Sequence, residues 1–598
     1  MKIFKYTIAI LAVTLFSGCK KDFLSRFPKA DPTDEFFFHT VEDLKTYTNG
    51  FYLMMNAPYS DVFSDNIGGF TGSHVMDNMV RGTVSSQNVS GSIWSGYWPN
   101  IRKINFMMDR LEGIEGDPGE IKHYEGIARF FRAYLYYELV KNFHNVPWYD
   151  TVLEAESEEL YKPADPRTVV VGRIMEDLEF AVANIKTSSS KELVSKHAAL
   201  TLLARICLHE GTFRKYHEEL ELQSTAIPFL ERAVSASAEV MTASYAIHTD
   251  QGDPALNYRV LFCSNNLSGN SEMIFIQKNS RELGVANNTH TVLDWQWALN
   301  GSLMDEYLMD DGTPFTDQSN YIQTAYTDLF ENRDPRLSET IMPPGFTVEP
   351  DNPAVAPYRT RPNFGGYLQL KFYPRTPDLR GGWEINYTDL PIMRLAEVLL
   401  IQAEAKAELG TLTQTDLDNT INKLRARVNM PDLSLTTANA NVDAALAAKY
   451  PNVTGANKGV ILEIRRGRRV ELACEGFRLD DIIRWKAGEL LAEPAYGFYV
   501  TQLGAIDVSG DGVEDIAILE NPQATGPIAG LPPQVREGLS LYYISDRSFY
   551  LSNTNSGYIL FDKDRQSPRE FVSPKYYYKP IPVEETVLNT NLKQVFGW

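Results

Sequence analysis

A long amphipathic helix is predicted between Asp117 and Asp150, and its apolar face constrains the kind of core that this chain can build. Apolar side chains recur there at three- and four-residue steps, at Ile121, Tyr124, Ile127, Ala128, Phe131, Leu135 and Leu139. Asp117 can cap the helix, Pro118 suits its first turn because it has no N–H to satisfy, and Glu120 stands where a capping-box acid would reach back. A helix with such a face must pack against other helices, so the pattern predicts a mainly helical protein.

Helical patterns recur on both sides of a loop-rich region. Before this region, further helices are predicted over about 41–55, 94–111, 166–185, 195–213 and 224–242. After it they are predicted over 389–410, 414–429 and 459–488, the last one broken at Gly467 or at Gly476. Between the two groups the chain is rich in Gly, Pro, Asn and Asp, with brief strand-like runs at 272–277 and 367–373. Paired helices of this length resemble tetratricopeptide units, although no clean repeat period can be read.

The fold class expected from these patterns is mainly α, with few short strands. We expect one domain over 19–598, with a helical scaffold mainly at 41–242 and 389–488, a loop-rich insert at 243–388 and a loop-rich tail at 489–598. Loops as long as the insert are more often functional than idle in a compact protein. The ligand-binding residues are therefore expected in the loops.

Residues 1–18 have the pattern of a lipoprotein signal peptide. Two lysines precede an apolar stretch of signal-peptide length, and small residues then lead to Cys19. Cys19 would be the acylated first residue of the mature chain, and no later apolar run reaches membrane-spanning length. An ordinary cleaved signal with a chance cysteine, or an uncleaved anchor, are the alternatives. The other three cysteines are widely spaced and form no C-x-x-C, so neither a disulfide framework nor a zinc site is indicated.

The acidic balance of the chain argues against a nucleic-acid partner. Lys and Arg number 57 against 77 Asp and Glu, which gives a formal charge of −20. A face that neutralises phosphates would have to work against this negative background.

The basic run RRGRR at 465–469 opens a densely charged stretch that ends at Lys486. The stretch could form a patch for an anionic ligand. On a helix, however, Arg468 would reach Glu471, Glu475 would reach Arg478, and Asp480 and Asp481 would reach Arg484. The spacing therefore favours a structural network of local ion pairs.

The segment DVSGDGVED has part of the spacing of a calcium loop. Asp507, Ser509, Asp511 and Asp515 occupy the first, third, fifth and ninth positions, and Gly512 stands at the sharp turn. Ile518 takes the twelfth position, where a bidentate Glu would be required. A partial calcium site and a solvated acidic turn both fit this pattern, and no other cofactor is indicated.

Signatures of catalysis are missing, whereas aromatic residues suited to carbohydrate occur in the loops. The sequence has no G-x-S-x-G, no H-E-x-x-H, no Walker loop and no G-x-G-x-x-G after a strand. Sugar binding needs flat rings that stack on the C–H face of a sugar, beside polar groups for its hydroxyls. Trp295 and Trp297 would share one side of an extended segment, and Trp383 lies in the loop RGGWEIN. The alternative is that these rings fill the core.

Five stretches together resemble the SusD/RagB family of Bacteroidetes outer-membrane lipoproteins. They are CKKDFL from Cys19, FFRAYLYYELVKNFHNVPWYD from Phe130, DLPIMRLAEVLLIQAEAKAELG from Asp389, IRRGRRVELACEGFRLDDIIRWK from Ile464, and the ending PIPVEETVLNTNLKQVFGW. They span nearly the whole chain in order. One departure is Gly467, which stands where the family usually has Glu before Arg-Arg and so weakens the expected ion-pair network.

The resemblance implies a SusD-like fold, in which four tetratricopeptide-like helix pairs support an irregular, loop-rich ligand-binding face. It also implies a non-catalytic, glycan-binding lipoprotein exposed on the cell surface. Such a protein captures oligosaccharides and delivers them to a SusC-like, TonB-dependent transporter barrel. A peptide-binding, RagB-like uptake component is the first alternative, and a surface glycosidase is the second.

By similarity, the glycan-binding residues should come from loops. The predicted set is Asp65, Asp77, Arg81, Trp94, Trp295, Trp297, Arg375 and Tyr387. The acids and arginines would bond to hydroxyl groups, and the rings would stack on the sugar.

Overall fold

A computed structural model describes residues 37–69, 74–188, 190–249, 251–294 and 297–598. Within these ranges the protein is mainly helical with few short strands, which confirms the predicted fold class. The helices are α1 Val41–Thr48, α2 Val75–Val80, α3 Ser92–Ser95, α4 Trp98–Met108, α5 Pro118–Phe143, α6 Arg167–Asn184, α7 Lys196–Tyr216, α8 Ala226–Met241, α9 Pro254–Cys263, α10 Thr291–Asp294, α11 Gly301–Met304, α12 Arg336–Thr340, α13 Leu395–Leu409, α14 Gln414–Asn419, α15 Ile421–Arg427, α16 Leu435–Ala440, α17 Ala444–Lys449, α18 Lys458–Glu471, α19 Arg478–Arg484, α20 Pro533–Gly538, α21 Asp562–Gln566 and α22 Val583–Leu588. The strands are β1 Ile67–Gly68, β2 Met273–Gln277, β3 Ala298–Leu299, β4 Leu390–Arg394, β5 Tyr496–Val500, β6 Gly504–Ile506, β7 Ile516–Leu519, β8 Ser540–Tyr543, β9 Phe549–Asn553 and β10 Ser556–Phe561.

The long helix α5 confirms the amphipathic pattern but corrects its cap. Asp117 Oδ1 accepts hydrogen bonds from the N–H groups of Gly119 and Glu120, at 2.9 and 3.0 Å. The Glu120 carboxylate pairs with Lys186 instead of reaching back to the cap, so its predicted capping-box role is wrong. The helix ends at Phe143, where His144 takes a positive φ of 68°.

The main core lies between α5 and the helices that pack beside it. Helix α6 packs on α5, α7 packs on α8, and α13 packs on α8 and α18. Helices α7 and α8 approach so closely that a Cβ at Gly211 would lie 2.8 Å from the Leu230 side chain. The buried face of α5 belongs to this core, together with Tyr577 and Tyr578 of the tail. Tetratricopeptide geometry of the helix pairs stays a prediction.

A second core collects the short strands and the loops of the 243–388 region. Strands β2 and β4 pair antiparallel, and β4 leads directly into α13, so this core is joined to the helical one. The strand-like run at 272–277 is confirmed as β2. The run at 367–373 is not a strand: it forms one isolated bridge, from Gln369 to Ile341, and turns at Phe372, whose φ is +72°. Strands β5, β10 and β9 form one sheet of the tail, and β6, β7 and β8 form another.

Several predicted helices are shorter or more broken than the periodicity indicated. The stretch 94–111 forms α3 and α4, and 414–429 forms α14 and α15. Helix α18 runs through Gly467, and the break comes after it, around Gly476, whose φ is +78°. Helices α9, α16 and α17 were not predicted, because each is short and carries little apolar periodicity.

Buried ion pairs join the two cores around Glu471, the last residue of α18. Glu471 accepts from Arg394, Arg427 and Arg336 at 2.6, 2.6 and 2.9 Å. Arg394 also pairs with Glu272 and Glu475, at 2.9 and 2.6 Å. All these side chains are buried. The charged stretch is therefore structural, as the sequence favoured.

The partners within this network differ from the predicted local ones. Arg468 pairs with Asp481 at 2.8 Å, and Arg478 pairs with Asp65 at 2.7 Å. Arg484 does reach Asp481, at 2.9 Å, but it also pairs with Glu404 of α13. Helical spacing identified charges that need partners, and the tertiary fold supplies most of those partners.

Candidate functional site

Two loops of the 243–388 region pair with each other and expose the ring of Trp383. Ser280 pairs with Val285 within one loop, and Asn287 pairs with Asn386 of the other. Trp383 is 61% exposed, which is unusual for so large an aromatic residue. We call these two loops, 280–290 and 378–387, the Trp383 surface.

A glycine turn fixes the backbone around Trp383. The N–H of Gly381 donates to the carbonyl oxygen of Ile385 at 3.1 Å. Gly382 has a φ of +117°, a conformation that residues with a Cβ rarely adopt. The N–H of Glu384 donates to Asn288 Oδ1 across the two loops. The ring is therefore presented on a defined backbone rather than on an unpaired loop tip.

Tyr387 is the second aromatic residue of the Trp383 surface, and it is half-buried. The guanidinium carbon of Arg281 lies 5.0 Å from the centre of its ring, a cation–π contact. Arg281 Nη2 also donates to the carbonyl oxygen of Asp378 at 2.6 Å, which holds the guanidinium group in place. Arg281 was not predicted, because its sequence position gives no sign that it meets Tyr387.

Exposed carboxylates lie on the same two loops as these rings. Glu282, Asp378 and Glu384 are exposed on the same two loops. A flat apolar ring can stack on a sugar, and carboxylate oxygens on the same loops can accept hydrogen bonds from its hydroxyl groups. The Trp383 surface therefore has the chemistry of a carbohydrate-binding surface.

Helix α10 connects the Trp383 surface to the predicted tryptophan pair. The N–H of His290, just before α10, donates to Asn386 Oδ1 at 3.0 Å. Trp295 follows α10 directly and lies outside the described residues. Trp297 is buried in the second core, where its Nε1 donates to Gln369 Oε1 at 3.3 Å. A part for either tryptophan in glycan binding stays a prediction.

Asp65 lies inside the ion-pair network. Its two carboxylate oxygens accept from Arg478 at 2.7 Å each, and Arg469 lies at 3.2 Å. Burial alone would raise the pKa of Asp65, but the two guanidinium groups bring the pKa below its usual value. The acid is thus held ionised and paired.

Asp77 and Arg81 pair with each other, at 3.1 Å, and with the tail. Asp77 accepts from Lys563 at 2.8 Å, and Arg81 reaches Asp564 at 2.5 Å. Burial works to raise the pKa of Asp77, but its basic partners lower it overall. These residues fasten α2 to α21, and a part in ligand binding stays a prediction.

The remaining predicted residues lie outside the Trp383 surface and are engaged in packing or in an ion pair. Trp94 is buried, with its ring centre 4.9 Å from that of Phe143. Arg375 pairs with Glu339 at 3.0 Å. Of the described members of the predicted set, Tyr387 alone lies on the Trp383 surface. Trp383 was noted in the sequence for its glycine-flanked loop but is not in the predicted set, and the structure adds its exposure.

The acidic loop at 507–515 uses its carboxylates to hold its own backbone. Asp507 accepts from the N–H groups of Ser509 and Gly512, at 3.0 and 2.8 Å. Asp515 accepts from the N–H of Val508 at 3.0 Å, and Asp511 accepts from that of Val513. In the described part of the chain, no group of three or more His, Cys, Asp or Glu is placed to hold a metal ion. Calcium binding by this loop stays a prediction.

A sequence model described as the SusD family matches residues 268–598, more than half of the chain. The chain belongs to the SusD family. A second model, described as starch-binding and associating with the outer membrane, matches residues 41–208. The resemblance found in the sequence is thereby confirmed.

Individual SusD relatives match over most of their length. A SusD-like protein P2 from Formosa agariphila is 25% identical over 527 residues, which cover 83% of this chain and 93% of the relative. A SusD-like carbohydrate-binding protein from Bacteroides fragilis superposes with a TM-score of 0.67 at 20% identity, covering 93% of this chain and 100% of its own. A laminarin-binding SusD-like protein superposes with a TM-score of 0.54 at 19% identity, covering 94% and 100%. These structural likenesses establish the fold.

Proposed function

We propose that this SusD-family protein is a non-catalytic glycan-binding lipoprotein of the outer membrane that captures oligosaccharides at the Trp383 surface. The exposed ring of Trp383 on a fixed backbone turn is the observation that carries the proposal. The family membership supports carbohydrate as the ligand, as does the laminarin-binding neighbour of the same fold.

Stacking on Trp383 would supply the apolar part of the binding energy. Covering the face of an exposed ring with a sugar lowers the free energy of the complex, because apolar area is removed from water on both partners. The backbone turn around Gly382 reduces the entropy that binding would otherwise lose in ordering the loop. Tyr387, held from one side by Arg281, would extend the contact to a second sugar unit.

A lipid on Cys19 would hold the protein at the membrane and place it beside a SusC-like, TonB-dependent transporter. The description of the matching family model as associating with the outer membrane supports this location. None of the helices in the described ranges is both long and apolar enough to cross a membrane. Cys19 itself lies outside those ranges. The captured oligosaccharide would then pass to the transporter without being cleaved.

Calorimetric titration tests the proposal. The full chain, purified in mild detergent, is titrated with laminarin oligosaccharides and maltooligosaccharides, after a glycan array has selected the best ligand. Trp383→Ala should weaken binding at least about tenfold, since it removes the central stacking ring. Leu53→Ala is the matched control, because Leu53 is 83% exposed outside the Trp383 surface.

The same experiment separates the alternatives. Tight binding of peptides with no glycan bound would favour a peptide-capture protein and refute the proposal. Shortened oligosaccharides in the titration cell, detected by chromatography, would show a glycosidase instead.

A further inference from the structure

An aromatic groove separate from the Trp383 surface lies between α4 and the C-terminal segment that contains α22 and the residues just after it. It encloses about 620 Å³, within the range of ligand-binding pockets. The groove is lined by Trp94, Trp98, Tyr149, Tyr161, Leu588 and Leu592. We call this feature the aromatic groove.

Hydrogen bonds hold the walls of the aromatic groove in place. Asn589 Nδ2 donates to the carbonyl oxygen of Lys162 at 2.9 Å, and Asn591 Nδ2 donates to that of Tyr161 at 2.6 Å. On the opposite wall, Asn105 Nδ2 donates to the carbonyl oxygen of Tyr149 at 2.9 Å. The groove is thus formed before anything binds, so binding does not have to order its walls.

The rim of the groove exposes large apolar side chains. Leu588 is 71% exposed, and Val587 beside it is exposed to the same degree. Leu160 and Tyr161 are exposed on the facing wall. Contiguous apolar exposure of this kind, next to a concave apolar surface, marks an interaction site.

Apart from Arg102, which lines the groove and is exposed, the interior of the groove offers few free polar groups to a sugar. The Asn105 amide nitrogen bonds to Tyr149, and its oxygen accepts from Arg132 Nη1 at 3.1 Å. The Asn589 amide donates to the 160–162 segment. A sugar whose hydroxyl groups lost water there would find few partners, which costs free energy. An apolar side chain incurs no such cost.

The rim is acidic, and its carboxylates have no basic partners. Glu585 lines the groove, and Glu584 precedes it on α22. Glu158 and Glu159 directly precede the lining residues Leu160 and Tyr161. Among the residues that the structure describes, none of these four glutamates forms an ion pair. Partial burial raises the pKa of Glu585, and the neighbouring Glu584 raises it further. A cation placed here would relieve that repulsion.

The nearby basic side chains are already engaged. Lys162 pairs with Asp165 at 2.8 Å, and Arg102 donates to the carbonyl oxygen of Leu153. Neither side chain pairs with a rim glutamate in the described part of the chain, and the four glutamates outnumber Arg102, the cation that lines the groove. The groove is therefore apolar inside and negatively charged at its edge.

We propose that the aromatic groove docks a segment of a partner protein that carries leucine or phenylalanine side chains flanked by lysine or arginine. The apolar side chains fill the groove, and the basic side chains meet the rim glutamates. Apolar burial supplies affinity, and the charges supply orientation and a faster encounter. The docking surface is independent of the Trp383 surface, so it can be tested without any glycan.

The probe is a fluorescein-labelled synthetic peptide with leucines spaced for one helix face and lysines between them. Its binding to the full chain in mild detergent is measured by fluorescence anisotropy. Leu588→Asp should weaken binding at least about tenfold, because it places a carboxylate where leucine side chains dock. Leu53→Asp is the matched control on another surface, and it should leave binding unchanged.

A second pair of variants tests the charges. Glu584→Gln combined with Glu585→Gln should weaken the lysine peptide several-fold and reduce the dependence of its affinity on salt. Asp432→Asn, an exposed acid outside the groove, should not do so. A peptide with glutamates in place of lysines should bind at least about tenfold more weakly.

Other occupants of the groove give distinct results, and each would overturn the proposal. One is an oligosaccharide that displaces the peptide and that binds the Trp383→Ala variant as tightly as the unchanged protein. Another is a dimer in sedimentation velocity that Leu588→Asp dissociates. Equal weakening by Leu588→Asp and Leu53→Asp would show nonspecific binding and would contradict the proposal as well.

Discussion

Replacing Glu471 by glutamine removes one charge from a buried cluster in which the charges balance. The cluster linked by ion pairs contains four cations, Arg336, Lys371, Arg394 and Arg427, and four anions, Glu272, Asp334, Glu471 and Glu475. Burial alone would raise the pKa of Glu471, but its arginine partners bring the pKa far below the usual value. The carboxylate is therefore ionised in the folded protein.

The variant leaves a net positive charge in the core, since four cations then face three anions. Its amide nitrogen would also point a donor at guanidinium groups that are donors themselves. Removing one partner of a buried ion pair costs about 3–5 kcal/mol. Because glutamine keeps one acceptor oxygen, we expect a loss at the lower end, about 3 kcal/mol in the free energy of unfolding.

Urea unfolding followed by tryptophan fluorescence measures this loss. Glu176→Gln is the control, because Glu176 pairs with Arg173 on the surface of α6 and both side chains are at least half exposed. Breaking that exposed pair should cost less than about 1 kcal/mol. Equal stability of the Glu471→Gln and Glu176→Gln variants would refute the argument that the buried cluster holds the two cores together.

Three further predictions follow from other parts of the chain. Burial works to raise the pKa of Glu404, but Arg484 lowers it to about 2. The stabilisation that the ionised Glu404 carboxylate provides is present above pH 4.5 and is lost as the pH falls toward 2. The melting temperature of the Glu404→Gln variant should therefore depend less on pH in this window than that of the unchanged protein. Gly459→Ala should destabilise by about 1–3 kcal/mol, because its Cβ would lie 1.9 Å from a carbonyl oxygen. Gly467→Ala, in the same helix with open space around it, should raise the free energy of unfolding by up to about 1 kcal/mol. Chemical unfolding measures both variants, and equal effects of the two substitutions would contradict this prediction. Cys19→Ala should move the protein from the membrane fraction to the soluble fraction, and a variant that stays with the membrane would refute lipidation at that residue.

Much of the helical scaffold could be predicted, because long amphipathic helices have a period that the sequence shows directly. Helix α5 and its Asp117 cap are examples. Prediction failed where tertiary contacts override local spacing. Glu120 pairs with Lys186 of another segment, and Arg478 pairs with Asp65, more than 400 residues away in sequence. Neither partner can be found from helical spacing.

The candidate site was less predictable than the fold, because exposure depends on how loops pair. Trp94 and Trp297 have the same side chain as Trp383, yet both are buried and Trp383 is not. The glycines before Trp383 were the one local signal. The contact between Arg281 and Tyr387 joins two loops about a hundred residues apart, and only the folded chain shows it.

A crystal structure of the full chain with the oligosaccharide selected by the glycan array tests the central claim most directly. We predict a sugar ring stacked on Trp383, with its carbon atoms within about 4 Å of the indole face, and hydroxyl groups bonded to polar side chains of the 280–290 and 378–387 loops. Density for the oligosaccharide at another part of the molecule, with Trp383 uncovered, would contradict the account.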